Sequence, residues 1–151
     1  MERPSKKLVL TLTAVTDIAY HGGTEPVQSQ DIARRLSLPR RYLEQVMQQL
    51  VRAGILRGVR GPRGGYRLAR ERRRVSVGDV VRVVRGIEDA PLMEDLGPAS
   101  ELGAKVIGPF WTATEEDLMA RLDRVTIEDL CRRAEAKGVV SEAQREVDFA
   151  L

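Results

Sequence analysis

The chain of 151 residues is poor in the groups on which disulfide, metal and membrane sites depend. It contains one cysteine and one histidine, so it can form no internal disulfide and offers no recognisable spacing of metal ligands. No apolar run is long enough to cross a membrane, and the first residues lack the apolar core of a signal peptide. We therefore expect a cytoplasmic protein that holds no metal or other cofactor and contacts no membrane.

Motifs for catalysis are also missing. The glycine-rich run at residues 61–65 does not lie between a strand and a helix, so it is not a phosphate-binding or dinucleotide-binding fingerprint. The single cysteine and the single histidine are far apart in sequence and define no nucleophile and base. An enzyme with an acidic site within residues 87–108 is an alternative class that no motif supports. We expect a protein that is not an enzyme.

Charge is abundant, at 31% of the residues, but it is unevenly divided. Residues 1–86 carry 18 Lys and Arg against 7 Asp and Glu, a balance of +11, whereas residues 87–151 carry 7 against 15, a balance of −8. This pattern indicates a part that binds a polyanion, joined to an acidic part with a different task. Aromatic residues make up only 4%, which suits a helical protein with an aliphatic core.

Residues 39–53 predict a helix with one apolar and one polar face. The apolar positions follow helical spacing and are Leu43, Val46, Met47 and Leu50. The polar positions lie on the opposite face and its flanks, and they are Arg40, Arg41, Glu44, Gln45, Gln48 and Arg52. Side chains of these types can read base edges in a major groove, although a solvated helix face has the same composition. Ser37 is the predicted cap of this helix, and Gly54 is its predicted end.

Two predicted helices precede this one and give it a context. The first covers residues 5–21, and the second covers residues 30–36 with Ser29 as its cap. A tight turn at residues 37–38 then leads into residues 39–53. A short helix, a tight turn and a longer helix with a polar face form the helix-turn-helix arrangement, which favours DNA reading over a merely solvated face.

Residues 55–68 predict a β-hairpin with a glycine-rich tip. Arginines occupy positions 57, 60, 63, 67 and 70, and three more follow at 72–74. A turn in solvent needs no such charge density, whereas a wing that lies against phosphates or in a minor groove does. Arg60, Arg63 and Arg67 are therefore predicted to contact DNA.

Two short signatures predict helix starts in the second half of the chain. Ser76 and Asp79 form one of them, before valines at helical spacing that run to Gly86. Thr126 and Asp129 form the other, after a long predicted helix.

The long helix is predicted from residue 109 to residue 125, beyond a loop at residues 87–108. Loops of this length are usually functional or disordered. The helix carries a stripe that must be covered, formed by Phe110, Trp111, Thr114, Leu118, Leu122 and Val125. The stripe can pack against its copy in a second chain or back onto its own domain, and the pattern alone favours neither.

Cys131 is the only thiol in the chain. The simpler interpretation is a small packing residue in or near the core. The alternative is a redox sensor, with a thiol pKa lowered by the neighbouring Arg132 and Arg133.

Together these features resemble the IscR/NsrR-like family of dimeric winged-helix transcription regulators, many of which sense through an iron–sulfur cluster. Three stretches carry the resemblance. They are RYLEQ at residues 41–45, VRGPRGGYRL at 59–68 followed by VSVGDV at 75–80, and the apolar pattern of residues 111–130.

The resemblance implies roles for individual residues. Arg41 and Glu44 lie where the family reads bases. Arg60, Gly61 and Pro62 correspond to the wing contact. The resemblance also favours pairing of the long helix, through Trp111, Leu118, Leu122 and Val125, with its copy across a two-fold axis.

The sequence departs from the family in the loop before the long helix. Family members that hold a cluster carry three cysteines there, but residues 87–108 contain no cysteine and no histidine, and Lys105 stands where the last cysteine falls. Thiolates are the usual ligands of such clusters, and carboxylates are poor replacements. The fold is therefore implied, whereas the sensing mechanism is not.

We predict a mainly α-helical protein with a small β-hairpin wing (α+β), a winged helix-turn-helix with a long C-terminal dimerisation helix. The DNA-binding domain is residues 1–86, the linking loop 87–108, the dimerisation helix and following short helix 109–138, and the tail 139–151. We expect a homodimeric repressor of a palindromic operator in double-stranded DNA, with an unidentified small-molecule or redox effector. The alternative is a winged-helix module that binds an acidic protein partner.

Overall fold

The computed structural model describes residues 4–23, 25–88 and 100–143. The elements in chain order are α1 (Lys6–His21), α2 (Ser29–Leu36), α3 (Arg40–Arg52), β1 (Leu56–Val59), β2 (Gly65–Leu68), α4 (Val77–Glu88), α5 (Gly108–Asp123) and α6 (Ile127–Ala136). A 3₁₀ turn covers Arg72–Arg74, and a π turn covers Gly103–Ile107. The predicted helical fold with a two-stranded wing is confirmed. None of the described helices has the length and apolar character needed to cross a membrane.

The core lies between α1, α3, α4 and α6. Its central side chains are at most 2% exposed and include Val15, Ile18, Leu43, Leu50, Val80 and Ile127. Full burial of an aliphatic side chain of this size contributes about 1.5–3 kcal/mol. Because Ile127 belongs to α6, the predicted boundary at residue 86 separates elements that share one core.

The helix-turn-helix is formed as predicted, but its caps differ from the prediction. Ser37 ends α2 in the left-handed region, with φ 53°, instead of capping α3. Pro39 occupies the position before α3 and provides no side-chain cap. Ser29 is the first residue of α2, so it does not cap that helix either. The tight turn between the helices needs Ser37 for its own backbone conformation, which takes the residue away from the capping position.

The wing is an antiparallel hairpin that the preceding connection holds in place. Arg57 lies opposite Arg67, and Gly58 lies opposite Tyr66. Val27 extends this pairing, because its N–H donates to the Tyr66 carbonyl at 2.9 Å and its carbonyl accepts from the Tyr66 N–H at 2.8 Å. The wing is therefore anchored to the connection between α1 and α2.

Helix α4 begins as predicted and ends later. The Ser76 N–H donates to the Asp79 carboxylate, and the Asp79 N–H donates to the Ser76 hydroxyl, both at 3.0 Å. The predicted stop at Gly86 is wrong, since the helix runs on to Glu88. A glycine in a helix costs only about 1 kcal/mol, which the buried valine face of α4 outweighs.

The prediction of one loop over residues 87–108 is wrong at both ends. Residues 87–88 belong to α4, and residues 101–107 are helical and run into α5. The Gly108 N–H donates five residues back, to the Gly103 carbonyl, which shifts the register just before Pro109. A π turn accommodates a proline that would otherwise interrupt an α-helix, because proline has no N–H to donate. The part of the predicted loop at residues 89–99 lies outside the described residues.

The predicted tail at residues 139–151 is described as far as residue 143. This part lies against the end of α1. The Tyr20 hydroxyl donates to the Val139 carbonyl, and the Ser141 hydroxyl donates to the Tyr20 carbonyl at 2.8 Å. Residues 144–151 lie outside the described residues.

Candidate nucleic-acid interface

Helix α3 has the two faces that its sequence predicts. Its apolar side chains are at most 4% exposed, and they are Leu43, Val46, Met47 and Leu50. The predicted DNA-reading side chains are all exposed, and they are Arg40, Arg41, Glu44, Gln45 and Gln48. The buried face holds the helix against the core, so the polar face points outward.

The start of α3 contains one ion pair. Arg40 Nε lies 3.3 Å from Glu44 Oε1, and both side chains are about half exposed or more. Within the described part of the chain, Arg41 has no carboxylate partner at ion-pair distance. Its guanidinium is therefore available to a base edge or a phosphate, whereas Glu44 is already oriented by Arg40.

A cleft of about 550 Å³ separates the wing from the N-terminal ends of α2 and α3. Its walls are formed by Gln28, Ser29, Gln30, Arg40, Val59, Arg60, Gly61, Pro62 and Tyr66, among others. Burial raises the pKa of Tyr66, and the Glu44 carboxylate adds to the rise while Arg40 opposes it. The raised pKa favours the protonated phenol of Tyr66, a hydroxyl donor next to α3.

Sequence reasoning missed the side chains of residues 28–30. They reach the cleft through the start of α2, next to the wing. Their position depends on the pairing between Val27 and Tyr66, which is a single bridge without a repeating pattern in the sequence.

Two glycines of the wing are required by its geometry. Gly61 at the tip has φ +112°, a conformation that favours glycine. A Cβ on Gly65 would lie 2.2 Å from the Val27 carbonyl oxygen, which is too close for any other residue. The turn at the tip therefore requires glycine at position 61, and the pairing with Val27 requires glycine at position 65.

The arginines of the wing fall into two groups. Arg60 and Arg63 are exposed at the tip, as predicted, and the half-buried Arg67 lies on β2 opposite Arg57. This register brings two positive charges together on the wing. Arg57, one of the arginines that the sequence places around the hairpin, is thus a further candidate contact.

The arginines that follow the wing have a different role. Arg72 donates to the Glu128 carboxylate of α6, and Arg73 Nε donates to Glu71 at 2.6 Å. Arg70 Nη2 lies 3.6 Å from Asp79 Oδ2. Arg70, Arg72 and Arg73 each lie beside a carboxylate, so they are weaker candidates for phosphate contact than the arginines at the tip.

The stripe on α5 is largely uncovered in the single chain. Trp111 is 58% exposed and Leu118 is 47% exposed, and Leu122 and Val125 are half-buried near α4. The apolar surface continues before α5 at Leu102, which is 65% exposed. Packing of the stripe onto its own domain is thus limited to its C-terminal end within the described chain.

Cys131 is 3% exposed and belongs to the core. Burial raises the pKa of its thiol, and the Arg72 guanidinium opposes this rise while Glu128 adds to it. The predicted lowering of the pKa by Arg132 and Arg133 is therefore wrong. The packing role fits the structure, because a protonated, enclosed thiol is a poor nucleophile.

The donors in this chain do not fit an iron–sulfur cluster of the kind through which many members of the family it resembles sense. Such clusters are held mainly by several thiolates, but the chain has one cysteine, and that cysteine is enclosed in the core. Residues 87–108 contain neither cysteine nor histidine.

Comparison with known proteins agrees with the geometry. The chain is 32% identical over 120 residues to the HTH-type transcriptional regulator CymR of Bacillus subtilis, over 79% of this chain and 82% of that protein. It is 28% identical over 140 residues to the HTH-type transcriptional regulator IscR of Vibrio campbellii, over 93% of this chain and 82% of that one. The solved structure of T. potens IscR matches with a TM-score of 0.74 at 33% identity and covers 93% of each chain.

These relatives are transcription regulators, which confirms the expectation that the protein is not an enzyme. The family model described as "Rrf2: Iron-dependent Transcriptional regulator" matches residues 4–133, which is most of the chain. From its fold, its wing and this match, the chain belongs to the Rrf2 family of DNA-binding transcription regulators.

Proposed function

We propose that this protein is a homodimeric repressor that binds a palindromic operator with α3 and the wing and works without an iron–sulfur cluster. The observation that carries the proposal is the exposed polar face of α3 beside a cleft lined by wing residues. A recognition helix with a basic wing at its side can enter a major groove while the wing contacts the adjacent backbone or minor groove.

Within this interface the residues divide by task. Arg41, Gln45 and Gln48 project from the exposed face of α3 and read base edges. Arg60 and Arg63 at the wing tip hold the phosphate backbone. Glu44 either accepts a hydrogen bond from cytosine or repels other sequences. To accept from cytosine, its carboxylate must first separate from Arg40.

The dimer is supported by the apolar face of α5. Phe110, Trp111 and Leu118 are each 47–63% exposed, and large apolar side chains exposed along one stripe of a helix are typical of an interface. Pairing of α5 with its copy across a two-fold axis would bring two recognition helices to equivalent half-sites, as a palindrome requires. Repression then follows from occupancy of a promoter, because it needs no separate contact with the transcription machinery.

The test is selection of bound DNA from a random pool with the full chain. We expect an inverted repeat with half-site centres about 34–36 Å apart or a multiple of that distance. Binding should survive in air, and the purified protein should be colourless without stoichiometric iron. Recovery of unrelated sequences, together with salt-dependent capture of acidic proteins, would support the winged-helix interaction module instead.

A further inference from the structure

The segments at residues 75–82 and 123–127 lie where the start of α4 meets the end of α5, and we call them the α4–α5 junction. A short antiparallel bridge pairs Ser76 with Thr126. The Val77 N–H donates to the Val125 carbonyl, and the Ile127 N–H donates to the Val75 carbonyl, both at 2.8 Å. The starts of α4 and α6 therefore lie side by side, next to the end of α5.

A two-pronged ion pair reinforces the junction. Arg82 of α4 donates from Nη1 to Asp123 Oδ1 at 2.8 Å and from Nη2 to Asp123 Oδ2 at 2.6 Å. Asp123 is the last residue of α5. Two parallel hydrogen bonds fix direction as well as distance, which a single contact does not.

Gly78 allows this contact to form. A Cβ at Gly78 would lie 1.9 Å from Asp123 Oδ1 and 3.2 Å from the Asp123 backbone nitrogen. Any larger residue would displace the Asp123 carboxylate and press on the end of α5. In contrast, a Cβ on Gly86 of the same helix would meet nothing within 4 Å.

The junction holds only one end of α5. The helix has 16 residues, or about 24 Å, and its other end carries the uncovered Phe110 and Trp111. A change of about 10° at the junction would move that far end by about 4 Å, on the order of one base-pair step. A small change in the direction of α5 at the junction is therefore enough to change the distance between the two recognition helices of a dimer by about one base pair.

We propose that the α4–α5 junction, through Gly78 and the Arg82–Asp123 pair, is a positioning device that sets which spacing between operator half-sites the dimer accepts. The inference rests on the proposed dimeric DNA binding. None of these residues lies on the exposed face of α3 or in the wing, so they act through the placement of the two recognition helices.

The test is a set of operators built from the selected palindrome, with the spacer between half-sites lengthened or shortened by one or two base pairs. We expect the wild type to lose about tenfold or more in affinity for each change of one base pair, comparable to a mismatched base pair. Gly78→Ala should flatten this profile or move its optimum, whereas the matched control Gly86→Ala should keep the wild-type profile.

Arg82→Ala and Asp123→Ala supply a test that is independent of packing at Gly78, because both residues are partly exposed. Each should flatten the profile, and the double variant should add little, since both remove the same ion pair. Affinity for a single isolated half-site should stay within about twofold in all of these variants.

An unchanged spacing profile in folded Gly78→Ala, Arg82→Ala and Asp123→Ala proteins would overturn the proposal. If the proposed function itself is wrong, the wild type will bind no paired half-sites and its affinity will not depend on their spacing. That result is distinct from an unchanged spacing profile in the variants.

Discussion

Arg41 is the residue on which sequence recognition should depend most. It is exposed on α3 and has no carboxylate partner at ion-pair distance in the described structure, unlike its neighbour Arg40. We predict that Arg41→Ala weakens binding to the selected operator by about 1–3 kcal/mol and relaxes the preference at one base pair in each half-site. Competition binding with operator variants measures both effects.

Arg132→Ala is a suitable control for Arg41, because it removes an exposed arginine from α6, away from the recognition helix. It should leave the sequence preference intact. Equal losses on operator and random DNA in Arg41→Ala would identify Arg41 as a phosphate contact.

Cys131 should be unreactive in the folded protein. Its thiol is buried and its pKa is raised, so the thiolate that reacts with disulfide reagents and peroxide is scarce. We predict slow labelling of the native protein at about pH 8, near the ordinary thiol pKa, and rapid labelling in urea. Peroxide should release DNA from neither the wild type nor Cys131→Ser. Release of the wild type alone would make Cys131 the sensor.

The raised pKa of Cys131 also has a consequence for stability. The folded state holds the thiol proton more tightly than the unfolded chain, in which the pKa is about 8.5. This contribution to the free energy of unfolding is complete below that pH and is lost as the pH rises toward the folded value. Urea unfolding between neutral and alkaline pH should show a steeper loss for the wild type than for Cys131→Ala.

Individual residues also show what a sequence can and cannot predict. The inward and outward faces of α3 follow from helical spacing, and the structure confirms them side chain by side chain. The pKa of Cys131 does not follow from its neighbours Arg132 and Arg133, because the cation that acts on it is Arg72, far away in sequence. Local charge is thus a poor guide to the chemistry of a side chain inside the core.

Among the elements, the wing should supply affinity rather than specificity. Arg57 and Arg67 lie opposite each other on β1 and β2. We predict that Arg57→Ala reduces the magnitude of the slope of log affinity against log salt by about 0.9, because one phosphate is no longer neutralised. The reduction should be the same on operator and on random DNA. Arg73→Ala is the control, because Arg73 is already paired with Glu71. A change in base preference in Arg57→Ala would contradict this role.

The boundaries of elements were predictable where a local signature fixes them. The Ser76–Asp79 and Thr126–Asp129 capping boxes both form, because each needs only its own four residues. The role of Ser37 was not predictable in the same way, since Ser37 adopts a left-handed backbone conformation in the turn after α2 and does not cap α3. The helical stretch at residues 101–107 was hidden by Pro109, whose effect depends on a π turn that sequence spacing does not reveal.

At the scale of the whole molecule, the exposed stripe of α5 should hold two chains together. Leu118→Asp places a charge on that stripe and should yield monomers, because an unpaired charge in an apolar interface is costly. Sedimentation measures the change, and binding to the palindrome should weaken to that of a single half-site. Ala120→Asp, also exposed and on the opposite side of the helix from Trp111, is the matched control. A Leu118→Asp protein that stays dimeric would assign another surface to the interface.

The sharing of one core by α1 and α6 has a consequence for how the protein is made. Ile127 and Cys131 close the core over Val15 and Ile18, and residues 139–143 lie against the end of α1. During synthesis at about 5–20 residues per second, the recognition helix leaves the ribosome several seconds before the segment that covers the domain. We therefore expect the first helices to complete their packing only after α6 has been synthesised. Truncation before residue 127 should leave α3 without the part of the core that α6 supplies.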